Sequence, residues 1–187
     1  MIGKIVFRLD NWIKRLIYKQ YSNNPNIHGD YESFQPIVFK GKGEVRMGDN
    51  VKFGVVNSPF FHNTYAYVEA RTSVSEITIG SNTHMNNAVS IIAEKKIIIG
   101  SNVLIGYNCS IMDSNFHNLA PEKRHESDPR PESVIIQDNV FIGNDVTILK
   151  GVCLEENVVV AARSVVTKSF PKNSVIGGCP AVIIGKV

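Results

Sequence analysis

Of the five histidines in this chain, His117 is the one placed to do chemistry. It ends the run Ile111-Met112-Asp113-Ser114-Asn115-Phe116-His117 and opens a polar stretch containing Pro121, Lys123, Arg124, His125, Glu126, Asp128, Pro129, Arg130 and Pro131. Long irregular insertions in compact folds are usually functional or disordered, and this one begins with an imidazole. A hydroxyl nucleophile is almost wholly protonated at neutral pH, whereas histidine titrates in the range needed to take its proton. Asp113, four residues earlier, either orients that ring or caps a turn. His125 reads as a solvated loop residue and His84 as a surface or packed one. Cys109, Cys153 and Cys179 show neither CxxC nor Cys/His spacing, which argues against a disulfide framework and a zinc site.

Three kinds of element must position these groups. Residues 1 to about 21 place Ile2, Ile5, Val6, Leu9, Trp12, Ile13, Leu16 and Ile17 at threes and fours, with Lys4, Arg8, Lys14, Arg15 and Lys19 on the other side. That spacing predicts an amphipathic helix. Tyr21 to Pro36 is rich in turn formers and reads as a linker, giving a helix-and-linker unit over 1–36 and a body over 37–187. Within the body a period of six appears. Met47-Gly48-Asp49-Asn50-Val51, Ile79-Gly80-Ser81-Asn82-Thr83, Ile99-Gly100-Ser101-Asn102-Val103, Ile105-Gly106-Tyr107-Asn108-Cys109 and Ile142-Gly143-Asn144-Asp145-Val146 share one pattern. Aliphatic residues then recur in strict sixes at Ile136, Ile142, Ile148, Leu154, Val160 and Val166. With a strand period of two and a turn every six, the aliphatic residue and the small residue four later both point inward. One such rung cannot bury its own inner face, so rungs must stack into a continuous core. A β-sandwich would space its turns every 8 to 12 residues instead. The register lapses between Ile111 and Ile136, which predicts a loop excursion near 114–133.

Composition narrows the function classes. The formal net charge of +3 suits a phosphorylated ligand but falls short of a nucleic-acid footprint. No run is long enough to cross a bilayer and no leader opens the chain, so a cytoplasmic protein is expected.

The hexads resemble those of the left-handed parallel β-helix acyltransferases, the hexapeptide-repeat family. From about Ile77 to Pro180 the chain is most similar to the galactoside, maltose and capsular-sugar O-acetyltransferases. Three signatures carry this: the run ending in His117, Val165-Val166-Thr167-Lys168, and Gly177-Gly178-Cys179-Pro180-Ala181. The resemblance implies an all-β, left-handed parallel β-helix with a short N-terminal helix. It implies acetyl transfer from acetyl-CoA to a sugar hydroxyl by direct attack, with His117 as general base and no metal. It gives Asn86 a place beside the acceptor hydroxyl or the oxyanion, with neighbouring Asn87 as a rival. It sets coenzyme A against Asn144, Ala162, Thr167 and Lys168. Val182 stands where the family often has arginine, so Lys186 is the substitute phosphate partner, and Arg163 stands at a usual glycine. The implied partners are a free, nucleotide-linked or lipid-linked sugar and two further copies in a homotrimer.

The same fold serves N-acetyltransferases of amino-sugar nucleotides and noncatalytic scaffolds, and these stay open as alternatives. Serine acetyltransferases carry a larger helical domain, and the carbonic-anhydrase relatives need zinc-binding histidines that His84, His117 and His125 do not supply. The N-terminal helix is expected to cap the open first coil or meet another subunit. Its basic, Trp-containing character also makes it a candidate contact with the inner membrane surface.

Overall fold

The computed structural model describes residues 2–187. The side chains of Ile2, Lys4, Ile5 and Arg8, assigned above to the two helix faces, lie outside the described residues. Helix α1 spans Ile2–Tyr21. The body then winds through six three-strand coils. The first coil is β1 (Ile27–His28), β2 (Tyr31–Ser33) and β3 (Ile37–Gly41); the second is β4 (Glu44–Met47), β5 (Val51–Phe53) and β6 (Ala66–Ala70). The third is β7 (Glu76–Ile79), β8 (His84–Met85) and β9 (Ser90–Ala93); the fourth is β10 (Lys96–Ile99), β11 (Leu104–Ile105) and β12 (Ser110–Met112). The fifth is β13 (Val134–Ile136), β14 (Phe141–Ile142) and β15 (Thr147–Ile148); the sixth is β16 (Cys153–Leu154), β17 (Val159–Val160) and β18 (Val165–Val166). A hairpin, β19 (Ser174–Gly178) and β20 (Ala181–Lys186), closes the chain.

Each strand pairs in parallel with its counterpart one coil away, so the three strands per coil build three sheets around a triangular left-handed β-helix. The first sheet holds β1 to β16 in steps of three, the second β2 to β17 plus the hairpin, and the third β3 to β18. The six-residue register is the core itself. Ile136, Ile142, Ile148, Leu154, Val160 and Val166 are buried, as are Val140, Val146, Val152, Val158 and Ser164 four residues after the first five of them. These side chains form one continuous column, the arrangement expected when each rung is covered by the next.

Corners explain the polar half of the hexad. Asn50, Asn82, Asn102, Asn139 and Asn157 all have φ between 55° and 61°, a left-handed turn that asparagine tolerates better than most residues. Arg163 has φ 61°, which accounts for glycine being usual at that place. Glycine two positions before the corner residue answers a different need. A Cβ on Gly143 would sit 2.7 Å from the backbone nitrogen of Ala162 in the next coil.

The structure departs from the sequence reading in two places. The segment 21–36, expected as a linker, already carries β1 and β2 in register with β4 and β5. Its turn formers Pro25, Asn26 and Gly29 belong to the first coil. A second excursion, residues 54–65, leaves the helix between β5 and β6.

Helix α1 lies against the first coil and the 54–65 excursion through a largely polar edge. Asn11 Nδ2 donates to the Phe34 carbonyl at 2.9 Å, Lys14 Nζ donates to the His62 carbonyl at 3.0 Å, and the Tyr18 and Tyr65 rings lie 5.0 Å apart. Trp12, Arg15, Leu16 and Lys19 overhang a cleft floored by Tyr31, Ile37 and Phe39. Val6, Leu9, Ile13 and Ile17 are exposed. Among the described residues no helix is long and apolar enough to cross a membrane.

Candidate active site

The triangular cross-section sorts the candidate residues by corner. Strand β12 runs to the corner between the third and first sheets, and the excursion carrying His117 is rooted there. His117 is exposed, and its Nδ1 lies 2.8 Å from the Arg124 carbonyl oxygen within the same excursion. A carbonyl only accepts, so Nδ1 carries the proton and Nε2 of the neutral ring presents its lone pair. Phe116, at φ 61°, lies under the Arg71 guanidinium, 4.4 Å from carbon to ring centroid. Thr167 and Lys168 follow β18 at the same corner, two coils on; both are exposed, and Lys168 Nζ is 5.7 Å from the Phe170 ring centroid.

Asp113 does not orient His117. Its buried carboxylate accepts from the backbone N–H groups of Glu94 (2.8 Å), Lys95 (2.8 Å) and Lys96 (2.6 Å), capping the turn between β9 and β10. Burial pushes its pKa up, and those three amides pull it back.

Asn86, Asn144 and Ala162 occupy the other corner, between the second and third sheets. Asn86 follows β8, and Gly106, Gly143 and Ala161 hold the equivalent place in the next three coils. Asn144 Oδ1 accepts from the Tyr107 N–H at 3.1 Å, while Ala162 is exposed. Beside this corner is a cleft of about 560 Å³ whose lining includes Asn86, Asn144, Val55, Leu104, Phe141 and His84. His84 sits on the outer face of the second sheet between Lys52 and Leu104, and its Nε2 is buried with no partner among the described residues. Lys186 is exposed on β20, beyond the last full coil.

One chain therefore splits the proposed machinery: His117, Thr167 and Lys168 on one corner, Asn86, Asn144 and Ala162 on another. A side of the triangle is one hexad, so the corners stand on the order of 15–20 Å apart at strand rise.

The side-chain contacts beneath the His117 excursion escaped the sequence reading. Arg71, Glu94, Ser114, Asp128 and Lys150 form a connected set beneath the His117 excursion. The Asp128-Pro129-Arg130 run is an Asx turn, with Arg130 N–H donating to Asp128 Oδ1 at 2.9 Å, and that local signal was readable. Its partner Lys150, 22 residues away, was not. Among the described residues no group of three or more His, Cys, Asp or Glu side chains is disposed to hold a metal ion. Cys109 fills an inner position, where burial pushes its thiol up to about 11.

Residues 133–168 match the family description "Bacterial transferase hexapeptide (six repeats)", and residues 96–112 match "Hexapeptide repeat of succinyl-transferase". The galactoside O-acetyltransferase of Escherichia coli (strain K12) is 34% identical over 113 residues, 60% of this chain and 55% of that one. The galactoside O-acetyltransferase of Lactococcus lactis subsp. lactis (strain IL1403) is 31% identical over 111 residues, 59% of this chain and 53% of that one. The aligned region thus spans little more than half the length of these relatives. Among solved structures, a hexapeptide-repeat acetyltransferase from Vibrio cholerae O1 biovar eltor, complexed with acetyl coenzyme A, shares the fold. It superposes with a TM-score of 0.58 at 23% identity, covering 96% of this chain and 83% of that one. By its six-residue repeat and its three-sheet β-helix, the chain is similar to the hexapeptide-repeat acetyltransferases, the galactoside O-acetyltransferases among them.

Proposed function

We propose that this protein transfers an acetyl group from acetyl-CoA to a hydroxyl of a sugar or a surface-polysaccharide precursor, with His117 as general base. The observation that carries this reading is the bond from His117 Nδ1 to the Arg124 carbonyl, which leaves Nε2 free to accept a proton. The acceptor oxygen then attacks the thioester carbonyl directly. Asn86 offers its amide NH2 to the developing oxyanion, and the protonated His117 returns its proton to the departing thiolate. The balance is one proton moved from hydroxyl to thiol and one acyl C–S bond exchanged for C–O.

The donor fits the Asn86 corner. Gly106, Gly143 and Ala161 project little there, leaving a shallow track beside Asn144 and Ala162 for a thin pantetheine arm. Thr167, Lys168 and Lys186 supply hydroxyl and cationic partners for the nucleotide end. Since His117 and Asn86 sit on different corners of one chain, the complete site is formed between adjacent copies, in keeping with a homotrimer. The reaction belongs in the cytoplasm, where acetyl-CoA is available.

The test is thiol release from acetyl-CoA against a panel of sugars, glycosides and amino-sugar nucleotides, for the wild type and His117→Ala. Acceptor-dependent release lost in the variant supports the reading. Turnover only with amino-sugar nucleotides replaces it with N-acetylation, and equal turnover by both proteins removes His117 as the base.

A further inference from the structure

The excursion that carries His117 starts and finishes on one carboxylate. Among the described residues from 115 to 133, Asp128 is the one that is buried, at 8% exposure. At the entry, its Oδ2 accepts from the Asn115 N–H at 2.8 Å and lies 3.4 Å from Ser114 Oγ. At the exit, its Oδ1 accepts from the Arg130 N–H. Lys150, one coil further on, donates to Asp128 Oδ2 at 2.7 Å and to the Arg130 carbonyl at 2.8 Å, pinning this junction to the β-helix wall.

The opposite side of the junction is held as firmly. Ser114 Oγ donates to Glu94, the other Glu94 oxygen lies 3.5 Å from Arg71, and Arg71 also pairs with Glu69 while stacking on Phe116. Phe116 is the residue before His117. The set runs from the wall through Asp128 to the backbone that aims the imidazole. None of these side chains has a part in the proton transfer described above.

We propose that Asp128, through its pair with Lys150, is a positioning residue that fixes the direction of His117 by joining the two roots of its excursion. This rests on the reading of His117 as the base. A bidentate tie at the roots restricts the loop's swing, and orientation counts heavily in such a step, since a misplacement of about 1 Å can cost on the order of 10²-fold in rate. Burial works against the charge on Asp128, but the Lys150 ammonium and the two backbone amides outweigh it and hold the carboxyl at about 2, so the tie is ionic across the working pH range.

The experiment compares Asp128→Asn, Lys150→Met, the double variant and Lys150→Arg as purified full-length proteins, with His117→Ala alongside. The expected result is a fall in kcat of roughly 10- to 100-fold for either single variant, with KM for acetyl-CoA within about twofold. The double variant should be no worse than the poorer single, and Lys150→Arg should recover much of kcat. Wild-type kcat in Asp128→Asn or Lys150→Met, beside an inactive His117→Ala, overturns the positioning role. So does a loss that follows melting or dissociation of the assembly in place of kcat. Should Asp128→Asn fail to fold, the Lys150 variants decide by the same criteria. Full activity in His117→Ala overturns the base assignment instead, so the two failures are told apart.

Discussion

The side-chain oxygen of Asn86 accepts a hydrogen bond from the backbone N–H of Asn87 at 2.8 Å, and from there the two amides part company. Asn87 is fully buried. Its Oδ1 accepts from the Val55 N–H, and its Nδ2 donates to the carbonyls of Val55, Ser58 and Pro59. Asn87 is therefore the staple of the 54–65 excursion, while Asn86 borders the cleft. Asn86→Ala is expected to lower kcat by about 10²- to 10³-fold with an unchanged melting temperature. Asn87→Ala is expected to cost about 1–3 kcal/mol of stability by stranding buried polar groups. Paired thermal melts and turnover assays check both; the reverse pattern would exchange the two roles.

If the site is shared between copies, His117 and Asn86 need not come from the same chain. Co-assembling the inactive His117→Ala and Asn86→Ala chains should then restore activity to about a quarter of wild type, the fraction of contacts that bring two intact halves together in a random mixture. Homo-assemblies of each variant provide the baseline. No recovery in verified mixed assemblies would place the whole site within one chain.

Acid should loosen the Asp128 tie in a defined window. Its folded pKa lies near 2, below the ordinary 3.8, so the ionised form favours the fold. The stabilisation is complete above the unfolded pKa and is lost as pH falls from about 4 toward 2. Melting curves of wild type and Asp128→Asn should differ at pH 5 and converge near pH 2. A gap that is constant across this range would assign the effect of the substitution to shape and not to charge.

Removing residues 1–21 takes α1 away from β3 and from the cleft over Ile37 and Phe39 at the open end of the first coil. The truncated protein is expected to elute as aggregate or to precipitate, because unpaired strand edges template association. A soluble, active truncated protein would show that α1 is not a cap.

Most of the architecture could be read from the sequence because a hexad is a local code repeated many times. Ile136 through Val166 declare their inward direction without reference to any distant residue. The first coil was harder. Ile27–His28 and Tyr31–Ser33 are too short to display a period, and the turn formers around them look the same in a linker and at a β-helix corner. That His117 stands at the root of an excursion was legible from the lapse in register. Its supports were not, since Asp128 and Lys150, or Glu94 and Ser114, meet only after the coils between them have stacked. Asn86 and Asn87 share a residue type, and only the course of the 54–65 excursion separates their roles.

The track of Gly106, Gly143 and Ala161 beside Asn86 also behaves as a gauge. Each coil, whatever loop it carries, advances it by one rung, about 4.8 Å. On the proposed binding mode, the reach from the acyl-bearing end to the charged tail of a donor is counted in whole coils, and a chain that gained or lost one would shift its preferred tether length by a fixed step while leaving the excursion around His117 as it was.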